Sequence, residues 1–151
     1  MNLRLYNHGD LDSVVAIFRS NIPKYFGEEE EPGLHEFLTT EQRADDYYVL
    51  EVGSQIVGAG GIAFNDLESP TVSLCWGMVR EDFLGTGLGK ELTRFRIELA
   101  RDKYPGLPIT IGTSQHTRGF YEKFGFRLIE HTPNGFGPGI DNCRMRLDNV
   151  D

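Results

Sequence analysis

Two stretches of this chain carry residue types and spacings able to do chemistry. The first is Leu84-Gly85-Thr86-Gly87-Leu88-Gly89-Lys90. Its three glycines, at every second position, leave the backbone N–H groups uncovered by side chains. A helix starting there adds its first N–H groups, which have no internal partner, and the positive end of its dipole. That combination seats a phosphate or pyrophosphate. The second stretch is Phe120-Tyr121-Glu122-Lys123-Phe124-Gly125-Phe126. Tyr121 there carries a phenolic O–H, a group able to donate. Its bland use would be packing between Phe120 and Phe124. No Cys or Ser–His pair offers a covalent route.

The loop needs a strand in front of it and a helix behind it. From Thr71 to Val79, Val72, Leu74, Trp76 and Met78 alternate with Ser73, Cys75, Gly77 and Val79. A period of two predicts a strand with those first four residues on one face. Leu88, Leu92, Phe95 and Leu99 then give a helix stripe. Upstream, a short strand spans 2–6, and Asp10 is the expected N-cap of a helix with Leu11, Val14, Val15 and Phe18 on its apolar face. Pro23 ends that helix. Pro32 opens a second one, with Leu34, Phe37 and Leu38 as its stripe. Strands at 47–52 and 55–64 meet at a Gly53-Ser54 turn. Gly58, Gly60 and Gly61 weaken the second of these and suggest close backbone packing or a bulge. After the central helix, 108–113 reads as a buried parallel strand, set beside 71–79 by a right-handed crossover. Ser114 or Thr113 caps the next helix and Gly125 stops it. Strands at 127–132 and 141–147 flank a loop, Asn134 to Gly139. The order is βααββββαβαββ with the first hairpin extended, or βααβββαβαββ at minimum, an α/β arrangement.

Which phosphate-bearing ligand the loop takes depends on its spacing. A Walker A loop needs glycine at position 84 and Ser/Thr at 91, where this chain has Leu84 and Glu91. A dinucleotide fingerprint needs Gly-x-Gly-x-x-Gly near the start of a domain, and this loop has neither the spacing nor the place. The remaining pattern is Arg/Gln-x-x-Gly-x-Gly/Ala behind a strand ending in Val. Val79 to Lys90 resembles this coenzyme A loop of the GNAT superfamily of N-acetyltransferases, with Leu84 where the family usually has Arg or Gln. The run FYEKFGF resembles the same family's second coenzyme A motif. Phe120, Tyr121, Lys123, Gly125 and Phe126 match it, Ser114 replaces the usual Asn and Thr117 the usual Ala. The two motifs stand in the family's order, and the resemblance covers roughly 49–147.

The resemblance implies a GNAT-type fold: a mostly antiparallel central sheet with one parallel pair at the coenzyme A site, flanked by about four helices. It implies an N-acetyltransferase that moves acetyl from acetyl-CoA to a primary amine by direct attack. Acetyl-CoA would be held by the main chain at Met78 and Val79, which pairs with the pantetheine like an added strand, and by Leu84, Gly85, Thr86, Gly87, Leu88, Gly89 and Lys90. Ser114 and Thr117 complete that set, and a bulge at Gly77 would open the sheet. Tyr121 would protonate the leaving thiolate. On the acceptor side the resemblance points to the loops 24–31 and 134–141, hence to Phe26, Glu28 and Phe136. The acids Glu28 to Glu31 either steer a cationic amine or form a solvated face. Asp66, Glu68 and His116 are candidates for the base, and the sequence chooses none of them. Two other readings stay open: a coenzyme A-binding regulatory module without catalysis, and a nucleotide-binding protein of unrelated chemistry.

The whole chain is consistent with this. Its 151 residues suit one domain spanning 1–151 with a sizeable core. A net charge of −8 argues against a nucleic-acid surface. No apolar run reaches membrane-span length, and the first residues lack a signal-peptide stretch. A cytoplasmic location is expected, with Cys75 and Cys143 as ordinary buried thiols and no metal site. The partners expected are acetyl-CoA and an amine, small molecule or peptide, and a homodimer is allowed.

Overall fold

The computed structural model describes residues 2–40, 46–65 and 69–148. The elements are β1 (Asn2–Leu5), α1 (Leu11–Ser20), α2 (Glu31–Thr39), β2 (Tyr47–Val52), β3 (Gln55–Asn65), β4 (Thr71–Val79), α3 (Leu88–Lys103), β5 (Ile109–Thr113), α4 (Arg118–Glu122), β6 (Arg127–Gly137) and β7 (Ile140–Leu147). This is the shorter order expected from the sequence, βααβββαβαββ. The strands form one seven-stranded sheet in the order β1-β2-β3-β4-β5-β7-β6. Only the β4–β5 pair is parallel; the other neighbours run antiparallel.

Helices cover both faces. Val14, Ile17 and Phe18 of α1 and Leu34, Phe37 and Leu38 of α2 pack on Tyr47, Val49, Ala59 and Met78. On the other face Ile97 and Ala100 of α3 pack with Val72, Leu74, Ile109, Ile111, Tyr121 and Met145. Each fully buried aliphatic side chain of this kind contributes about 1.5–3 kcal/mol. The expected stripe of α3 is rotated. Leu92, Thr93, Arg96, Ile97 and Ala100 are its buried residues, while Phe95 and Leu99 are half-buried.

Asp10 does not cap α1 as expected. Its carboxylate reaches back instead, accepting from the Asn7 N–H at 3.0 Å and from two nitrogens of Arg4 at 2.8 and 2.9 Å. A charged partner on β1 outbids the helix amides. Ser114 likewise sits a turn ahead of α4, which begins after Thr117; its hydroxyl accepts from the His116 N–H at 3.2 Å. The stretch 134–139 is not simply a loop. β6 runs through it to Gly137, with an irregularity in its pairing between Thr132 and Gly137.

The alternation of β4 breaks in its second half. Gly61 pairs with Cys75 and Ala59 with Met78, so Gly60 alone faces both Trp76 and Gly77. The extra residue is a bulge, and Trp76 takes a positive φ of 43°. The phase shifts by one residue there. Val72 and Leu74 lie in the cluster under α3, whereas Trp76 and Met78 pack in the cluster under α1 and α2. The four residues expected on one face are therefore split between two. The Trp76 carbonyl is fixed by the hydroxyl of fully buried Tyr47, which donates to it at 2.7 Å. The glycines of β3 serve this close packing. A Cβ on Gly61 would lie 2.3 Å from the Asp46 carbonyl oxygen, and one on Gly60 would lie 3.2 Å from the Gly77 Cα.

Candidate active site

The site is made by strands that part. β4 and β5 pair only at Val72–Ile109 and Ser73–Thr110, where the Ser73 and Thr110 hydroxyls meet at 2.8 Å. Beyond that point the two strands are no longer paired, and a cleft of about 710 Å³ opens between them. Its floor includes Leu74, Cys75, Met78, Val79 and Ile111.

One end of the cleft is the glycine loop. Gly85 and Gly87 have φ of 78° and 88°, a region where a Cβ is strained. A Cβ at either would point into open space, so the demand is conformational. Gly87 stands at the N-terminus of α3, with no side chain capping the helix. The first helical bond runs from the Glu91 N–H to the Gly87 carbonyl at 3.1 Å. The amides of Leu88, Gly89 and Lys90 precede it and lack intrahelical acceptors. Leu84, Gly85, Gly87, Gly89 and Lys90 all line the cleft. Two members of the expected set do not. Thr86 turns its hydroxyl to the Phe83 carbonyl, and Leu88 packs on the small cluster of Leu50, Val57 and Leu92.

The opposite wall comes from the start of α4. Ser114, Thr117, Phe120 and Tyr121 line it. The Thr117 hydroxyl bonds to that of Thr113. Tyr121 is buried between Phe120 and Phe126, both edge-on to its ring. Its hydroxyl accepts from Nη2 of Arg96 at 3.3 Å.

The remaining wall is aromatic. Phe26 stacks on Trp76, and both line the cleft with Tyr25 and Phe136. Of the acceptor-side residues named from sequence, Phe26 and Phe136 reach the cleft and Glu28 does not. Glu30 lines it instead. Burial raises the Glu30 carboxyl above its ordinary value, partly offset by the Gly27 N–H that it accepts at 2.8 Å. His116 also lines the cleft, edge-on to Tyr25. Asp66 and Glu68 lie outside the described residues.

Several lining residues had no signal in the linear pattern. Asn21 comes from the end of α1 and donates to the Val79 carbonyl at 2.9 Å. Cys75 is half-buried; burial pushes its thiol up to about 12, which keeps it protonated. Asn142 and Arg144 come from β7. Arg96 is 1% exposed and lies under the bulge. Its clue was present in separate places: an arginine four residues after Leu92 in a helix stripe, and glycines at 60 and 77 in the strands it covers. Among the described residues no group of three or more His, Cys, Asp and Glu side chains gathers as for a metal, and no helix is long and apolar enough to cross a membrane.

This architecture is shared by known proteins. The segment 26–149 matches the family described as "Acetyltransferase (GNAT) domain". A GNAT-family acetyltransferase structure from Desulfovibrio desulfuricans superposes with a TM-score of 0.81 at 21% identity, covering 99% of both chains. The ribosomal-protein-alanine N-acetyltransferase of Brucella melitensis gives 0.77 at 20% identity, over 98% of this chain and 99% of its own. YncA of Salmonella typhimurium, solved with its cofactor acetyl-CoA, gives 0.73 at 19% identity, over 100% of this chain and 95% of its own. A search of the curated proteins finds no match. With its family segment covering most of its length and its sheet laid out as theirs, the chain belongs to the GNAT acetyltransferase family.

Proposed function

We propose that this protein transfers acetyl from acetyl-CoA to a primary amine by direct attack on the thioester. The observation that carries this is the parting of β4 from β5 between an uncapped α3 N-terminus and the Tyr121 hydroxyl. The pyrophosphate sits on the amides of Leu88 to Lys90, with Gly85 and Gly87 shaping the approach. The pantetheine runs along Met78 and Val79 into the cleft. Acetyl-CoA bound to YncA supports this choice of donor. The amine enters past Phe26, Trp76 and Phe136, beside the Glu30 carboxyl. Its lone pair attacks the thioester carbon and the C–S bond breaks. The nitrogen loses a proton and the sulfur takes one from Tyr121. Direct attack is favoured over an acyl-enzyme because Cys75, the cysteine that lines the cleft, is held as a thiol.

The test is thiol release from acetyl-CoA across polyamines, amino acids, aminoglycosides and peptides with free amines. On the best acceptor, Tyr121→Phe is expected to lower kcat by about 100-fold or more with little change in KM for acetyl-CoA. Turnover within about threefold of wild type would make Tyr121 a packing residue.

A further inference from the structure

Arg96 has no task in the reading above, yet it touches the group that reading makes the acid. It is the largest of the fully buried side chains. Nη2 donates to Tyr121 Oη at 3.3 Å and lies 3.5 Å from Thr93 Oγ1. Nε and Nη1 have no partner among the described residues. The guanidinium is pressed against bare backbone. A Cβ on Gly77 would lie 2.5 Å from both Nη1 and Nη2, and one on Gly60 would lie 3.1 Å from Cδ.

No carboxylate pairs with it among the described residues, and a buried guanidinium so placed is costly. If its task were to fill space under two glycines, an unbranched apolar side chain would do so without that cost. The charge therefore points to an electrostatic use, and the hydroxyl it meets is at the reaction end of the cleft. Leu88 and Arg96 are separated along α3 by about 12 Å, at 1.5 Å per residue. The same helix thus presents its amides at one end of the cleft and a fixed positive charge further in.

We propose that Arg96 is a positioning residue for Tyr121, an inference that rests on Tyr121 being the acid. The Nη2–H occupies a lone pair of the phenol oxygen, so the phenolic proton turns away from α3 and towards the cleft. When the thioester C–S bond breaks, the electron pair stays on sulfur and the proton moves from Oη to sulfur. The oxygen is left as a phenolate beside the guanidinium, which stabilises it. The proton lost by the amine returns through solvent to restore the phenol.

The experiment measures thiol release from acetyl-CoA with hydroxylamine as a small generic nucleophile, for wild type, Tyr121→Phe, Arg96→Met, Arg96→Lys and the Tyr121→Phe/Arg96→Met double variant. Thermal melting and calorimetric binding of coenzyme A accompany each. Arg96→Met should lower kcat by about tenfold to 100-fold, the scale of a lost hydrogen bond to a charged group, with KM for acetyl-CoA changed by less than about threefold. Arg96→Lys should recover part of the rate. The double variant should be no slower than Tyr121→Phe alone. A folded Arg96→Met with wild-type turnover overturns the proposal, and so does a loss that adds to that of Tyr121→Phe. Should Arg96→Met melt below the assay temperature, Arg96→Leu, which also removes both the donor and the charge, is held to the same criteria. Failure of the underlying reading looks different: wild type then releases no thiol above acetyl-CoA hydrolysis, or Tyr121→Phe alone is silent.

Discussion

At the scale of single residues, the site depends on side chains that are missing. Gly77 is needed because the Arg96 guanidinium occupies the space of its Cβ. Gly77→Ala pushes that group off Tyr121 or shifts the strand. We expect it to destabilise the fold by about 1–3 kcal/mol, as overpacking does, and to lower turnover together with stability. Combining it with Arg96→Met removes the clash, so the double variant should melt higher than Gly77→Ala alone. If Gly77→Ala is equally destabilising with and without the guanidinium, the contact in question is with the backbone and not with Arg96. Gly85 and Gly87 answer to a different demand, since a Cβ there meets nothing but the φ is left-handed.

At the scale of elements, the loop and α3 act as a unit. The helix supplies amides and dipole, and the loop keeps them bare. Gly87→Val strains the N-cap of α3 and places a branched side chain at the mouth of the cleft. Calorimetry should show coenzyme A affinity falling by tenfold or more, roughly the scale of one strained backbone position. Lys90→Ala should cost less, since Lys90 is exposed and its charge is screened. Unchanged affinity in a folded Gly87→Val protein would remove the loop from the binding site. The β4 bulge is the second such unit. Trp76 at positive φ, with its carbonyl held by Tyr47, lies in the part of β4 beyond its pairing with β5, where the cleft is.

At the scale of the whole molecule, β1 is tied to the first helix through one ionised group. Hydrogen bonds from Arg4, then the Asn7 N–H, hold the Asp10 carboxyl below its ordinary value of 3.8. A carboxyl depressed in the folded state stabilises the fold at every pH above its unfolded pKa of about 3.9, and that contribution is lost as pH falls through the lower folded value. Asp10→Asn should therefore lower Tm at pH 7 by about 2–6 °C, the equivalent of one or two lost caps in a chain of this size. The gap between variant and wild type should close below about pH 4. A gap that persists unchanged into acid would assign the loss to packing instead of charge.

The sequence by itself determined the order of elements, because each is written in local residues: an alternation of two in the first half of β4, spacings of three to four in α1 and α2, and turn residues between them. It also determined the glycine loop and the FYEKFGF segment, whose pattern lies in contiguous residues; five of the seven loop residues reach the cleft, and from the second segment Phe120 and Tyr121 do. Only the tertiary structure decided the rest. The split of Val72 and Leu74 from Trp76 and Met78 comes from one unpaired residue against β3, which no period within β4 encodes. Asp10 left its helix for an arginine on another strand. Glu30 reaches the cleft instead of Glu28, within an acidic run whose members are alike in sequence. Arg96, outside the stripe read from the sequence, became a buried cation because glycines on β3 and β4 leave room for it. Local patterns report what a residue prefers alone; the cleft is made by pairings between residues far apart in the chain, and their energies appear only once the sheet is closed.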